Sequence, residues 1–305
     1  MNYAFPLVAT LLWSVNTLVV KLSAGAISPS EIAFLRWVIA TLLLLPMSAR
    51  AVLLHRRFLA RYWWRYAVLG VLGGVVYQSL AYTAAQYTSA INMGVIQALV
   101  PLLTIAITSV LLRAAPCIGT VAGAIVSLVG ALIVISHGHP GRMIGEGVNR
   151  GDAMMLVGVA SMAVYSVLLK HWRSELPALA SMFVQAVAAS VVLLPFYLVA
   201  DKHPLTYATA GMVLYAGIGA SICAPLAWMA GLERLGPARV SLFFNLIPIG
   251  TAVLATIFLG ERPTAALLVG GGLTVAGMVV VELSQKARRR PAVVKSAAVG
   301  RSQAT

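Results

Sequence analysis

Acidic residues are scarce: only 8 Asp and Glu occur in 305 residues, and all of them stand at or near the ends of apolar stretches. A proton relay through a membrane normally keeps a carboxylate or histidine at depth. Its lack favours a facilitator or exchanger moving cargo down a gradient. Charge of either sign is thin, at 10% of residues, where soluble domains carry about 25%; a water-soluble globule could not cover itself. Two cysteines, Cys117 and Cys223, are too few for a disulfide framework and read as small buried hydrophobes. No GxxxxGK[ST] loop is present, so the chain does not hydrolyse ATP. No Ser/His or paired-Asp constellation shares one depth, so we expect neither an enzyme nor a cofactor. His137 and His139 lack a third ligand, and no metal site is expected.

What the chain has instead is hydrophobic length. Apolar residues make up 60% of it and the mean hydropathy is +0.92. A bilayer-crossing helix needs about 20 mainly apolar residues. Windows of that kind fall at 3–22, 31–49, 66–86, 89–112, 115–136, 152–171, 178–199, 209–232, 236–259 and 264–284. The first is not a cleaved leader, having no basic start and an apolar run interrupted by Trp13, Ser14, Asn16 and Thr17. Ten crossings put both termini on one side. That side holds 16 of the Lys and Arg residues against 5 on the other, with Arg36 inside a span. The positive-inside rule then places both termini in the cytoplasm of a cell whose inner (plasma) membrane holds the protein. The net charge of +14 therefore reports orientation rather than nucleic acid. Tyr62, Trp63, Trp64 and Tyr66, interleaved with Arg61 and Arg65, read as an interfacial belt. Lipid is an expected partner, and no obligate protein partner is evident.

The second half echoes the first. Gly70, Pro101, Pro116, Gly123 and Gly130 recur 147 residues later as Gly217, Pro248, Pro263, Gly270 and Gly277. Lys21, Phe34 and Pro46 recur 149 residues later as Lys170, Phe183 and Pro195. Gly and Pro mark backbone positions, so such matches mean more than shared hydrophobicity. Each copy holds five spans, an odd number, and the second must enter the membrane inverted. Two inverted copies about an in-plane axis are a recurring transporter plan with the substrate site near the midplane; a duplicated scaffold is the alternative. We expect an all-α protein of ten transmembrane helices around a central cavity. Its parts are a first repeat at 1–140, an inverted second at 141–285 and a disordered basic cytoplasmic tail at 286–305.

The segments WSVNTLVVK (13–21), AFLRW (33–37), QALVP (97–101), GDAMMLVGVASMAVYSVLLK (151–170), LIPIGTAVLATIFLGERPT (246–264) and GGGLTVAGMVV (270–280) resemble the EamA-type members of the drug/metabolite transporter superfamily. The resemblance runs to about residue 285. It implies two inverted five-helix repeats around a cavity and movement of small metabolites, commonly amino acids outward. The first repeat departs from the pattern at Leu112-Arg113-Ala114, where the second has Gly260-Glu261.

Polar side chains at membrane depth mark pathways or bind neighbouring helices. Trp13 and Asn16 lie one turn apart; Gln78, Tyr82 and Gln86 follow a helical line beside Tyr77; Asn92 and Gln97 precede Pro101. Ser161 and Tyr165 share a face, Trp228 lies in the eighth span, and Ser241, Asn245 and Pro248 line up in the ninth. We take Trp13, Asn16, Tyr77, Gln78, Tyr82, Asn92, Gln97, Tyr165, Trp228 and Asn245 as candidate substrate contacts. Pro101 and Pro248 should kink their helices as wedges or gating hinges. Arg36, whose repeat counterpart is Gln185, is either an anchor reaching toward Glu31 or a partner for a substrate carboxylate. The glycines at 123, 130, 270 and 277 suit close helix packing. Neutral donors and rings fit a small zwitterion or an amphipathic molecule, and no midplane Lys/Arg cluster awaits a phosphate. The expected function is export of amino acids, aromatic or other neutral ones among them, or of similar metabolites by alternating access. Efflux of hydrophobic drugs, and a receptor or scaffold role, are the alternatives.

Overall fold

The computed structural model describes residues 2–23, 25–88, 90–111, 113, 115–139, 141, 149–172, 175–204, 206–259 and 264–302. Among them every regular element is helical. In chain order these are α1 (Ala4–Ser23), α2 (Pro29–Leu54), α3 (Arg56–Ala84), α4 (Ala90–Gln97, resuming at Val100–Leu111), α5 (Ile118–Ile135), α6 (Arg150–His171), α7 (Ala178–Val199), α8 (Tyr207–Leu235), α9 (Pro237–Val240, Ser241–Leu246 and Ile247–Leu259) and α10 (Ala265–Ser302). Nine described helices are long and apolar enough to cross a bilayer, and a shorter apolar one, Ala4–Val20, precedes them. The outer surface of the bundle is aliphatic: Val110, Ile118, Val199 and Leu268 are almost bare. Such a surface belongs in lipid, and the chain is an all-α multi-pass membrane protein. The helical backbone of α10 is continuous to Ser302.

Helix ends and breaks follow from local chemistry. Ser28 with Glu31, Asn149 with Asp152 and Thr206 with Thr209 form reciprocal caps at the starts of α2, α6 and α8. Asp152 thus completes the cap of α6 from its first turn, while Asn149 holds the cap position itself. Residues 98–99 interrupt α4 just before Pro101, and a 3-10 stretch, Ser241–Leu246, interrupts α9 just before Pro248. In both cases the ring excludes a normal turn against the carbonyl four residues earlier, that of Gln97 or Phe244. In α3 and α8 the α-pitch loosens to a π-helix over Gly70–Val76 and Ala216–Cys223. These two segments occupy equivalent places in the repeat. Cys223 is exposed and Cys117 half-buried, so neither is the buried hydrophobe the sequence suggested. Tyr66 also departs from the expected belt: it is buried against Leu176 and Ala180, while Trp63 and Trp64 stay exposed.

Cross-half contacts reveal the symmetry. Gly123 meets Gly277, and Gly130 meets Gly270, so α5 and α10 run antiparallel at backbone contact. In the repeat register Gly123 corresponds to Gly270 and Gly130 to Gly277; each contact is the other one turned over. Between them Thr274 donates to the carbonyl of its own counterpart, Ser127, at 3.4 Å. On the far side of the bundle Thr41 and its counterpart Ser190 share a hydrogen bond of 3.3 Å, joining α2 to α7. Equivalent residues can touch only on a twofold axis. The axis therefore runs from Ser127·Thr274 to Thr41·Ser190. The same exchange appears off the axis, where Gly70 packs on the Gln185 carbonyl and Gly217 on that of Arg36.

Candidate functional site

Between those two contacts lies a cavity. Trp13 comes from α1, Trp37 from α2 and Gly70, Gly73, Gly74, Tyr77 and Gln78 from the π-segment of α3 and its exit. Met162 and Tyr165 of α6, Met182 and Gln185 of α7, and Ala220, Pro225 and Trp228 of α8 complete the lining. The π-segments shape it. Their loosened pitch leaves carbonyls that indoles can reach: Trp37 Nε1 donates to Gly74 at 3.0 Å, and Trp13 Nε1 to Ala220 at 3.3 Å. Ser161 on α6 donates to the Leu72 carbonyl at 3.0 Å. Glycines keep the wall thin, since a Cβ on Gly73 would come within 3.0 Å of the Tyr165 ring.

The void measures about 30 Å³, room for about one or two waters. Small-molecule pockets run to about 300 Å³ or more, so the chamber as it stands is narrower than a cargo needs. Ties between the halves at both membrane faces match that state. Toward the termini, Trp64 meets Trp172 edge-on at 5.2 Å and the Arg234 guanidinium covers the Phe5 ring at 4.0 Å. At the opposite face, buried Glu31 accepts from the His203 backbone at 3.2 Å and lies 3.1 Å from its ring nitrogen. There too Thr88 donates to Asp152, and Arg150 sits over the Tyr87 ring at 3.8 Å. Asp152 both caps α6 and holds the α3–α4 turn. Asp152→Ala is expected to cost about 1–2 kcal/mol, in the range of a lost helix cap, as a lower melting temperature in detergent.

Of the residues taken from the sequence, Trp13, Tyr77, Gln78, Tyr165 and Trp228 stand on the cavity wall. Tyr82, Gln97, Asn16, Asn92 and Asn245 lie off it, each for a physical reason. Tyr82 is buried behind the wall, where its hydroxyl accepts from Arg36 at 3.1 Å. Gln97 donates to the Tyr77 hydroxyl at 2.9 Å and so orients a wall residue from outside. Asn92 hydrogen-bonds Asp152 near the membrane face. Asn245 is wholly buried and donates to Ser127 at 3.0 Å, joining α9 to α5 beside the axis. Asn16 is buried within α1 with its side-chain carbonyl unpartnered. Pro101 and Pro248 mark the α4 and α9 breaks and are not in the lining.

Arg36 does not reach toward Glu31, which His203 occupies. It is fully buried, with Nε 2.6 Å from Ser221 Oγ and Nη1 3.2 Å from Gln78 Oε1. The sequence reading passed over Trp37, Met162, Met182, Gln185 and the α3 glycines, which look like ordinary span residues. The repeat offered one signal: Gln185 is the counterpart of Arg36. A larger crevice of about 360 Å³ opens beside the cavity between α2, α3 and α7, lined by Pro29, Ser30, Val75, Val76, Ser79, Leu80, Thr83, Leu193 and Phe196. Val75 there adjoins cavity residue Gly74.

The EamA-like transporter family model matches the chain twice, over residues 2–136 and 149–283. The uncharacterized transporter YyaM of Bacillus subtilis is 26% identical over 269 residues, covering 85% of this chain and 88% of that protein. A probable terminal-alkyne amino-acid exporter of Streptantibioticus cattleyicolor is 26% identical over 229 residues, covering 74% of this chain and 75% of its own. A solved crystal structure superposes with a TM-score of 0.75 at 20% identity, covering 93% of this chain and 98% of the other, and shares the fold.

Proposed function

The chain belongs to the EamA-like transporter family, and from that premise we propose that it exports amino acids, or metabolites of similar size and polarity, across the inner membrane by alternating access. The observation that carries this reading is the cavity itself. It lies between inverted halves, is walled by Trp13, Tyr77, Gln78, Tyr165, Gln185 and Trp228, and has the halves joined near both membrane faces. Rings and neutral amides suit a small amphipathic zwitterion. The amino-acid exporter among the relatives supports the same cargo class. No carboxylate lines the cavity among the described residues, which favours a facilitator or exchanger. Both termini face the cytoplasm on the positive-inside count. The alternative, efflux of apolar compounds, draws support from the apolar crevice beside the cavity.

Counterflow in liposomes tests the proposal. Vesicles holding only this protein and preloaded with a neutral L-amino acid should accumulate the labelled compound, and D-isomers should compete less well. Equal competition by both isomers and by hydrophobic dyes would favour the drug reading; no flux of any compound would sink transport. Gly73→Leu, which fills the void against Tyr165, is expected to cut counterflow at least about tenfold, a barrier increase of about 1.4 kcal/mol, while the protein still elutes as a folded species.

A further inference from the structure

Arg36 is a cation without an anion. Its side chain is fully buried within α2, and the partners of its guanidinium are neutral: Ser221 Oγ, Gln78 Oε1 and Tyr82 Oη. One terminal nitrogen, Nη2, has no partner at all. Among the described residues the ion pairs are His203 with Glu31 and Arg239 with Glu282, and no carboxylate pairs with Arg36. A buried guanidinium in hydrocarbon is costly, and structural ones are normally paired.

Arg36 also stands directly behind the cavity wall. Gln78, which accepts its hydrogen bond, is a wall residue; so is Trp37, whose ring lies 5.8 Å from the guanidinium carbon; and wall residue Ala220 adjoins its partner Ser221. Across the axis the equivalent position holds Gln185, itself on the wall and neutral. The site is thus electrostatically lopsided, with one positive group and no resident negative one.

We propose that Arg36 is the binding residue for a carboxylate of the cargo, and that Gln78 holds its place until the cargo arrives. The unused Nη2 and the Nη1 now spent on Gln78 form the fork that grips a carboxylate in two parallel charge-assisted bonds. Widening of the chamber frees Gln78, and the two charges neutralise each other at depth. The inference deepens the export reading and rests on it, since it assigns the cargo an acid group and the residue that reads it.

The test uses the full-length protein purified in detergent, with thermal unfolding as readout. Two probe pairs are added, L-phenylalanine against L-phenylalaninamide and benzoate against benzamide; each pair differs only at the carboxylate. The acids should raise the melting temperature and the amides should not. Arg36→Gln copies the residue that the second half carries at the equivalent place, so the site can accept it; it should weaken acid binding at least about tenfold, in keeping with a lost charge-assisted pair. Equal stabilisation by acid and amide, no stabilisation by either acid, or an Arg36→Gln variant that keeps its response would overturn the assignment. Should that variant fail to fold, the acid–amide comparison on the wild type decides alone. Counterflow separates the two proposals. If benzoate stabilises the protein while no amino acid is carried, the carboxylate site stands and the amino-acid reading falls. If L-phenylalanine is carried no better than its amide, the assignment of Arg36 falls and transport stands.

Discussion

Gly130→Leu is expected to leave almost no folded protein, seen as loss of the monodisperse peak when a fluorescent fusion is extracted and chromatographed. A Cβ at Gly130 would lie 2.5 Å from both the Gly270 carbonyl oxygen and the Thr274 nitrogen. Those are backbone atoms of the facing helix, so no rotamer can relieve the clash. Overpacking a core typically costs about 1–3 kcal/mol, and here two helix backbones must separate along the repeat interface, so we expect at least the top of that range. Gly270→Leu should fail equally, because its Cβ would meet the Gly130 carbonyl at 2.5 Å. Gly272 supplies the control: it sits on the same helix with nothing within 4 Å, and Gly272→Leu should fold. If Gly130→Leu and Gly272→Leu behave alike, the close approach of α5 and α10 is not as described.

Trp228→Ala should cost about 3–5 kcal/mol, the usual range for truncating a buried tryptophan. The side chain is wholly buried, with its ring 5.2 Å from that of Trp13 and 4.9 Å edge-on from that of Phe244. Its indole nitrogen donates to Ser166 at 3.4 Å, a bond the truncation also breaks. This triad binds α1, α8 and α9, and its Trp13 and Trp228 stand on the cavity wall. Trp228→Phe keeps a ring and should lose less than half as much. Thermal melting measures the first effect and counterflow the second. On the proposed function, Trp228→Ala should also lose the preference for L- over D-isomers, because part of the cavity wall becomes a hole. A melting shift no larger than that of a surface substitution would mean the neighbouring rings close in.

The helices and the duplication were legible because hydrophobic length and recurrent Gly and Pro report directly on backbone requirements. Pro101 and Pro248 announced the α4 and α9 breaks for the same reason. The cavity was half legible. Trp13, Tyr77, Gln78, Tyr165 and Trp228 stand out because polar or amphipathic groups within apolar spans need a purpose. Met162, Met182, Ala220 and the α3 glycines do not, since a wall made of small and flexible residues has the composition of any span. Gln78 and Tyr82 do share a face of the α-helical stretch that follows the π-segment, and both accept from Arg36, but only Gln78, one turn nearer the π-segment, reaches the cavity. Asn245 misleads for another reason. A buried amide can bind a neighbouring helix as readily as a ligand, and spacing alone does not tell the two apart.

The line joining Thr41·Ser190 to Ser127·Thr274 has a thermodynamic corollary. A half-turn about it exchanges the two sides of the bilayer and hands each repeat the other's pose. Were the repeats identical in sequence, a conformer gaping toward one compartment and its flipped twin would be isoenergetic, and the resting population would divide evenly. Any preference for one compartment must then be written in the mismatched positions, among them Arg36 against Gln185 and Glu31 against Ala180. Resting orientation is thus a property of imperfect duplication, while the direction of net flux in a facilitator belongs to the gradient.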